Sequence, residues 1–207
     1  MEIRLEKIGK KFNTEWIFRN IDFVFEENSV TAVLGRNGSG KSTFLQILCG
    51  SLLPTTGTVS YHHRGKTIPD TEIFRHLALV APYQELIEEF TLKEVVDFHF
   101  AFKRILPGYD KKKVIGILGF DNIGRKHIRQ FSSGMKQRVK LILALLSDVP
   151  LLLLDEPTMN LDAAGIEWYR QMVSELSKDR TLVICSNQHQ TESNFAKKSL
   201  MIEDFKT

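Results

Sequence analysis

Residues 35 to 43 read GRNGSGKST and fit the pattern G-x-x-x-x-G-K-[ST] at Gly35, Gly40, Lys41 and Ser42. Glycines at 35, 38 and 40 let a backbone curl until successive N–H groups point inward at anionic oxygens. The preceding SVTAVLG is a short apolar run suited to an interior parallel strand, and the following KSTFLQILC has helical spacing and stops at Gly50. A helix opening there adds the partial positive charge of its N-terminus. Lys41 supplies a full charge for the β- and γ-phosphates, and the Ser42 hydroxyl is a Mg²⁺ ligand. The stretch Gly35, Arg36, Asn37, Gly38, Ser39, Gly40, Lys41, Ser42 and Thr43 is therefore a predicted cradle for a nucleoside triphosphate.

A second stretch, LLLLDEPT at 151 to 158, places two adjacent carboxylates after four leucines. A charge at the end of a buried strand is costly unless paired. A bound Mg²⁺ removes that conflict for Asp155. Because neighbouring residues leave a strand on opposite sides, Glu156 is expected to point elsewhere, free to handle an attacking water. Read alone, the two charges could simply open a loop, helped by Pro157.

These groups need a scaffold, and the pattern along the chain supplies one. IRLEKI and IFRNIDFVFE alternate as half-buried strands do, GTVSYHH reads as another strand, and HLALVA as a buried one. TLKEVVDFHFAFKR opens with Thr91 and carries Glu94 three residues on, a capping-box pattern. With KKVIGILGF and GMKQRVKLILALLS it makes residues 84 to 147 a mainly helical block. LLLLD returns to a strand, DAAGIEWYRQMVSELSK to an amphipathic helix, TLVICS to a strand and SLMIED to a last one. The expectation is one domain over 1–207, with an α/β core from 1–83 and 148–207 and a helical subdomain inserted at 84–147.

Composition agrees with a soluble domain. The chain has 207 residues, 43% of them apolar, enough for a sizeable core. A net charge of +3 is mild, and Lys111-Lys112-Lys113 reads as a solvated helix start, so no nucleic-acid partner is expected. Cys49 and Cys185 both sit in apolar stretches, which suits buried free thiols in a reducing compartment. MEIRLEKIGKKF lacks the apolar run of a secretory signal, and no window approaches the ~18 unbroken apolar residues of a spanning helix. A cytoplasmic location is the expectation, with docking on a membrane component left open.

FSSGMKQR, residues 131 to 138, resembles the LSGGQ-x-x-R signature of ABC transporter ATP-binding subunits. Ser132 and Gly134 match, Ser133 stands where the first central glycine is usual, and Met135 replaces the glutamine. The likeness extends over essentially the whole chain and is greatest to ATPases of ABC-2-type exporters. It implies a P-loop NTPase (RecA-like) core, an N-terminal antiparallel β subdomain and an inserted helical signature subdomain. It also implies ATP and Mg²⁺ as ligands, with Ser132, Ser133 and Gly134 capping the ATP held by a second subunit. Glu156 would position or deprotonate the water, and Lys41 would stabilise the transferring phosphoryl. Asp155 would join Ser42 on Mg²⁺. Phe12 matches the aromatic that stacks on adenine, though it would serve equally as a core phenylalanine. Gln84 matches the glutamine that touches Mg²⁺ and couples to the membrane partner, although its distance from the TLKEVV helix is short. Asp162, in MNLD, matches the aspartate of a loop crossing the dimer interface.

The implied partners are a second ATPase subunit and a separate membrane-spanning permease, with the chain peripheral on the inner membrane face. Export is the expected work. An ATPase that regulates a membrane complex without transport is the alternative, and one acting on ribosomes or DNA is disfavoured by the single P-loop. No C-terminal regulatory domain is expected after SLMIED.

TLVICSNQHQ ends the reading. The family's switch histidine follows this strand, and a gapless match to SLMIED puts Asn187 in that place and leaves His189 as a surface residue. An amide donates a hydrogen bond to phosphate but carries no charge.

Overall fold

The computed structural model describes every residue except 121, 122, 124, 125, 188–191 and 207. Two sheets form the frame. Strands β1 (Glu2–Phe12), β2 (Glu15–Phe25), β4 (Thr56–His63) and β5 (Lys66–Ile68) make an antiparallel sheet in the order β2-β1-β4-β5. Strands β3 (Val30–Leu34), β6 (Leu77–Val80), β7 (Leu151–Asp155), β8 (Thr181–Ser186) and β9 (Lys198–Met201) make a parallel sheet in the order β6-β7-β8-β3-β9.

The interior parallel strands are covered on both faces, and the alternation of their side chains decides which cover each residue meets. Leu151, Leu153, Val183, Cys185 and Val33 enter one core with Phe18, Phe25 and helix α1 (Lys41–Leu48). Leu152, Leu154, Leu182 and Ile184 enter the other. That second core is filled by α2 (Leu92–Phe102), α3 (Lys111–Leu118), α4 (Ser133–Leu145) and α5 (Ala163–Leu176). The helical block of 84 to 147 thus buries its apolar stripe in the same core as one face of the sheet.

The helix boundaries follow local chemistry. Thr91 and Glu94 form the capping box at the start of α2, Thr91 Oγ1 accepting from Glu94 N. Asp110 caps α3 at the triple lysine, and Gly119 ends it in a left-handed conformation. SLMIED is strand only as far as Met201; Ile202–Phe205 is a 3₁₀ turn. The short strand β5 has no periodic signal in its three residues.

β7 is enclosed along its length, with Leu151 to Leu154 all at 0% exposure. Leu154 packs toward the helices and its loss would leave a cavity there. Leu154→Ala should destabilise the fold by about 2–5 kcal/mol, read as a lowered urea or thermal midpoint; a change below about 1 kcal/mol would contradict the packing described.

Candidate functional site

The glycine-rich loop follows β3 and leads into α1, as its sequence context requires. Gly38 and Gly40 have φ of 76° and 106°, a region closed to most side chains. At Gly40 a Cβ would also lie 2.5 Å from Ile17 Cγ2, because β2 packs directly beneath the loop. Ser39 N donates to Arg36 O at 3.0 Å, closing the curl, while Arg36 N is taken by Glu203 Oε1 at 2.8 Å. Lys41 is only 4% exposed, and its ammonium folds back onto Gly35 O at 2.8 Å and Arg36 O at 3.1 Å. The same Nζ lies 4.0 Å from Glu156 Oε1. Asn37 and Ser42 are exposed at the loop rim, and Thr43 is half-buried.

Strand alternation sends Asp155, two residues after Leu153, to the α1 face beside this loop. Its carboxylate is 1% exposed and neither oxygen has a hydrogen-bond partner. Burial raises its pKa, the Glu156 charge adds to this, and the neighbouring Ser42 hydroxyl and Lys41 ammonium act against it. A buried carboxylate left without partners beside a serine hydroxyl and a phosphate cradle fits Mg²⁺, which takes few protein oxygens and completes its shell with phosphates and water. In keeping with that sparse ligation, the described residues contain no cluster of three acidic, His or Cys groups able to hold a metal alone.

Glu156 diverges from Asp155, but for a different reason than strand alternation. β7 ends at Asp155, and Glu156 turns through a left-handed backbone with φ of 45°. Such a conformation is uncommon for a non-glycine residue. It is held by Glu156 N donating to Cys185 O at 2.9 Å and by Met159 N donating to Glu156 O at 3.0 Å. The side chain lines a cleft with Asn160, Asn187 and Glu192. Asn187 continues the alternation of Val183 and Cys185 toward the glycine-rich loop, and its Nδ2 donates to Asn37 Oδ1 at 2.8 Å. His189 lies outside the described residues.

The signature stretch stands apart from this cradle. Ser132 caps α4, its Oγ accepting from Met135 N at 3.2 Å, and Ser133 begins the helix. Ser132, Ser133 and Gly134 line a separate depression with Asn160, Leu161 and Asp162. A Cβ on Gly134 would meet Asn160 O at 2.8 Å, so this glycine permits close approach of the two loops. Arg138 is occupied structurally, stacked 4.5 Å from the Trp168 ring and bonded to Leu118 O. Asp162 is used locally as the cap of α5, accepting from Gly165 N at 2.7 Å.

Two sequence expectations change. Phe12 is 48% exposed at the tip of the β1–β2 hairpin, so the core reading of it fails and the open ring is free to meet a planar ligand. Gln84 is engaged within its own turn. Its Oε1 accepts from Ala81 N at 3.0 Å within its own turn, and it lines a groove with Lys140 and Leu143 of α4. The neighbouring Tyr83 takes the α1 side instead, where burial raises its phenol pKa and a hydrogen bond with Gln46 opposes the shift. Glu192 and Gln137, which brace the loop after β7, gave no sequence signal.

The chain matches the family model described as ABC transporter over residues 18–159. It is 29% identical over 188 residues to the lantibiotic transport ATP-binding protein SrtF of Streptococcus pyogenes, spanning 89% of this chain and 80% of that one. It is 32% identical over 185 residues to the taurine import ATP-binding protein TauB of Pelagibacter ubique, covering 88% and 68%. Of another curated relative it spans 61% of the length. In fold it resembles the dimeric, ADP- and Pi-bound cassette MJ0796, with a TM-score of 0.81, 24% identity and coverage of 99% and 96%.

Asp155 gives this site a measurable electrostatic signature. With its pKa raised above the ordinary 3.8, the folded state retains a proton the unfolded chain has lost, so stability falls as pH rises through that window. Asp155→Asn should therefore raise the thermal midpoint of the nucleotide-free protein at neutral pH and remove the Mg²⁺ dependence of ATP affinity. A lower midpoint would contradict an uncompensated charge.

Proposed function

The chain belongs to the ABC transporter family, and on that premise we propose that it binds and hydrolyses ATP to drive a separate membrane-spanning permease, an exporter. The observation that carries this reading is the convergence of Lys41, the unpartnered Asp155 carboxylate and Glu156 at one loop. No helix among the described residues is long and apolar enough to cross a membrane, which supports a chain held at the inner membrane face by its permease. The export direction rests on the likeness of SSGMKQR and its flanks to ABC-2-type ATPases, while relatives carry both transport and import in their names.

The chemistry assigns each residue a task. Inward backbone N–H groups of the glycine-rich loop and the start of α1 bind the phosphates. Lys41, held without phosphate by loop carbonyls, is positioned to exchange them for β- and γ-oxygens. Ser42 and Asp155 hold Mg²⁺, which when bound offsets negative charge on the phosphates. Glu156, set off the strand by its left-handed turn, orients or deprotonates the attacking water. Asn187 donates a hydrogen bond to a phosphate oxygen, and exposed Phe12 stacks on adenine. Gln84 takes no part in this set.

The signature depression has no lining residue in common with its own glycine-rich loop. Two copies, or this chain with a related one, would pair head to tail so that Ser132 and Gly134 of each cap the ATP on the other. Closure excludes water and sets the transition-state geometry.

Glu156→Gln should bind ATP with near-normal affinity, accumulate an ATP-dependent dimer and lose hydrolysis by roughly a hundredfold or more. Normal turnover in that variant would remove Glu156 from its role. Asn187→Ala should slow hydrolysis by roughly tenfold, and the wild-type rate should lack an inflection near pH ~6.5. A switch imidazole titrating there would contradict the placement of Asn187.

A further inference from the structure

A buried carboxylate outside the phosphate cradle ties together the two loops that carry Glu156 and Asn187. Glu192 follows β8 and is 3% exposed. Its Oε1 accepts from Thr158 N at 3.0 Å and from Thr158 Oγ1 at 2.6 Å. Thr158 lies two residues after Glu156 and is itself 9% exposed. The backbone of Glu192 is fixed in turn, its carbonyl accepting from the fully buried Tyr169 hydroxyl at 2.9 Å. Among the described residues the second carboxylate oxygen has no hydrogen-bond partner, and Glu192 lines the same cleft as Glu156 and Asn187.

The segment around Glu156 needs such bracing. Glu156 sits at φ 45°, and a residue in that region stays there only when its surroundings hold it. Three tethers are in place. Glu156 N donates to Cys185 O, Gln137 Nε2 of α4 donates to Pro157 O at 2.8 Å, and Thr158 is held twice by Glu192. The last is the only charge-assisted member, and hydrogen bonds to an ionised acceptor are shorter and stronger than neutral ones. Placing a carboxylate at 3% exposure is costly, and a neutral residue would fill the space without that cost.

We propose that Glu192 is a positioning residue for hydrolysis: by clamping Thr158 it fixes the left-handed turn that aims Glu156, and it locks that turn to the loop bearing Asn187. The hydrogen bonds of the clamp run to Thr158 and Tyr169, outside the glycine-rich loop that binds nucleotide, so its action is assigned to the hydrolytic step. This rests on the assignment of Glu156 to the attacking water.

Glu192→Ala should lower kcat for ATP by roughly tenfold to a hundredfold while KM for ATP stays within about twofold. Glu192→Gln keeps an oxygen able to accept both bonds and should recover kcat to within about threefold of wild type. Thr158→Val removes only the hydroxyl half of the clamp and should give an intermediate kcat at unchanged KM, which keeps the test open if the alanine variant folds poorly. Glu156→Gln combined with Glu192→Ala should still form the ATP-dependent dimer, separating hydrolysis from binding. Unchanged kcat in Glu192→Ala and Thr158→Val, with the wild-type chain active, overturns the positioning role. So does a rise in KM without loss of kcat. A wild-type chain that binds MgATP but never turns it over, alone or with its permease, overturns the hydrolytic assignment itself.

Discussion

The Asp155 carboxylate, buried and without a hydrogen-bond partner at the end of β7, is the interaction around which the rest is arranged. Four leucines at 0% exposure drive that strand into the centre of the parallel sheet, and the fifth residue arrives there charged. Alternation then leaves it no choice of side. Leu153 faces α1, so Asp155 does too, beside Ser42 and near Lys41. On the proposed assignment the same location receives the triphosphate and its metal, so a group that is destabilising in the free chain becomes a ligand in the bound one.

The same periodicity explains what could be read from sequence and what could not. Val183, Cys185 and Asn187 share one face of β8 and its extension, so the amide of Asn187 reaches Asn37. The glycine-rich loop and the capping box at Thr91 are local features, and each was legible, as was the buried strand of leucines; its split between two cores emerges from the fold. Glu156 lies just beyond the strand, where alternation no longer applies, and a left-handed turn sets its direction instead. Gln84 and Tyr83 occupy a turn whose geometry depends on Ala81, Gln46 and α4, none of which their own spacing encodes. Glu192 is a polar residue among polar neighbours in sequence; only the tertiary fold buries it against Thr158. Phe12 remained open between core and surface because a hairpin tip and a core strand share the same apolar pattern until the turn at Asn13 is known.

Signature and cradle meet indirectly through the loop after β7. Gly134 lies against Asn160, Gln137 holds Pro157, and Glu192 holds Thr158, so the segment from 156 to 160 is fixed from both sides. Gln137 of α4 is thereby bonded to the residue that follows Glu156. This gives a physical route by which contact at the signature face can alter the hydrolytic geometry, through packed backbone and three short hydrogen bonds.

The central claim is that each ATP site is made from the cradle of one copy and the signature face of another. Subunit complementation tests it directly: Lys41→Ala disables the cradle, and Gly134→Asp disables the signature face by clashing with Asn160. Each variant alone should be inactive, and an equal mixture should regain a fraction of wild-type turnover, because a head-to-tail mixed pair contains one intact composite site. A mixture that stays at background although mixed pairs form, or a Gly134→Asp protein that retains full activity alone, would contradict it.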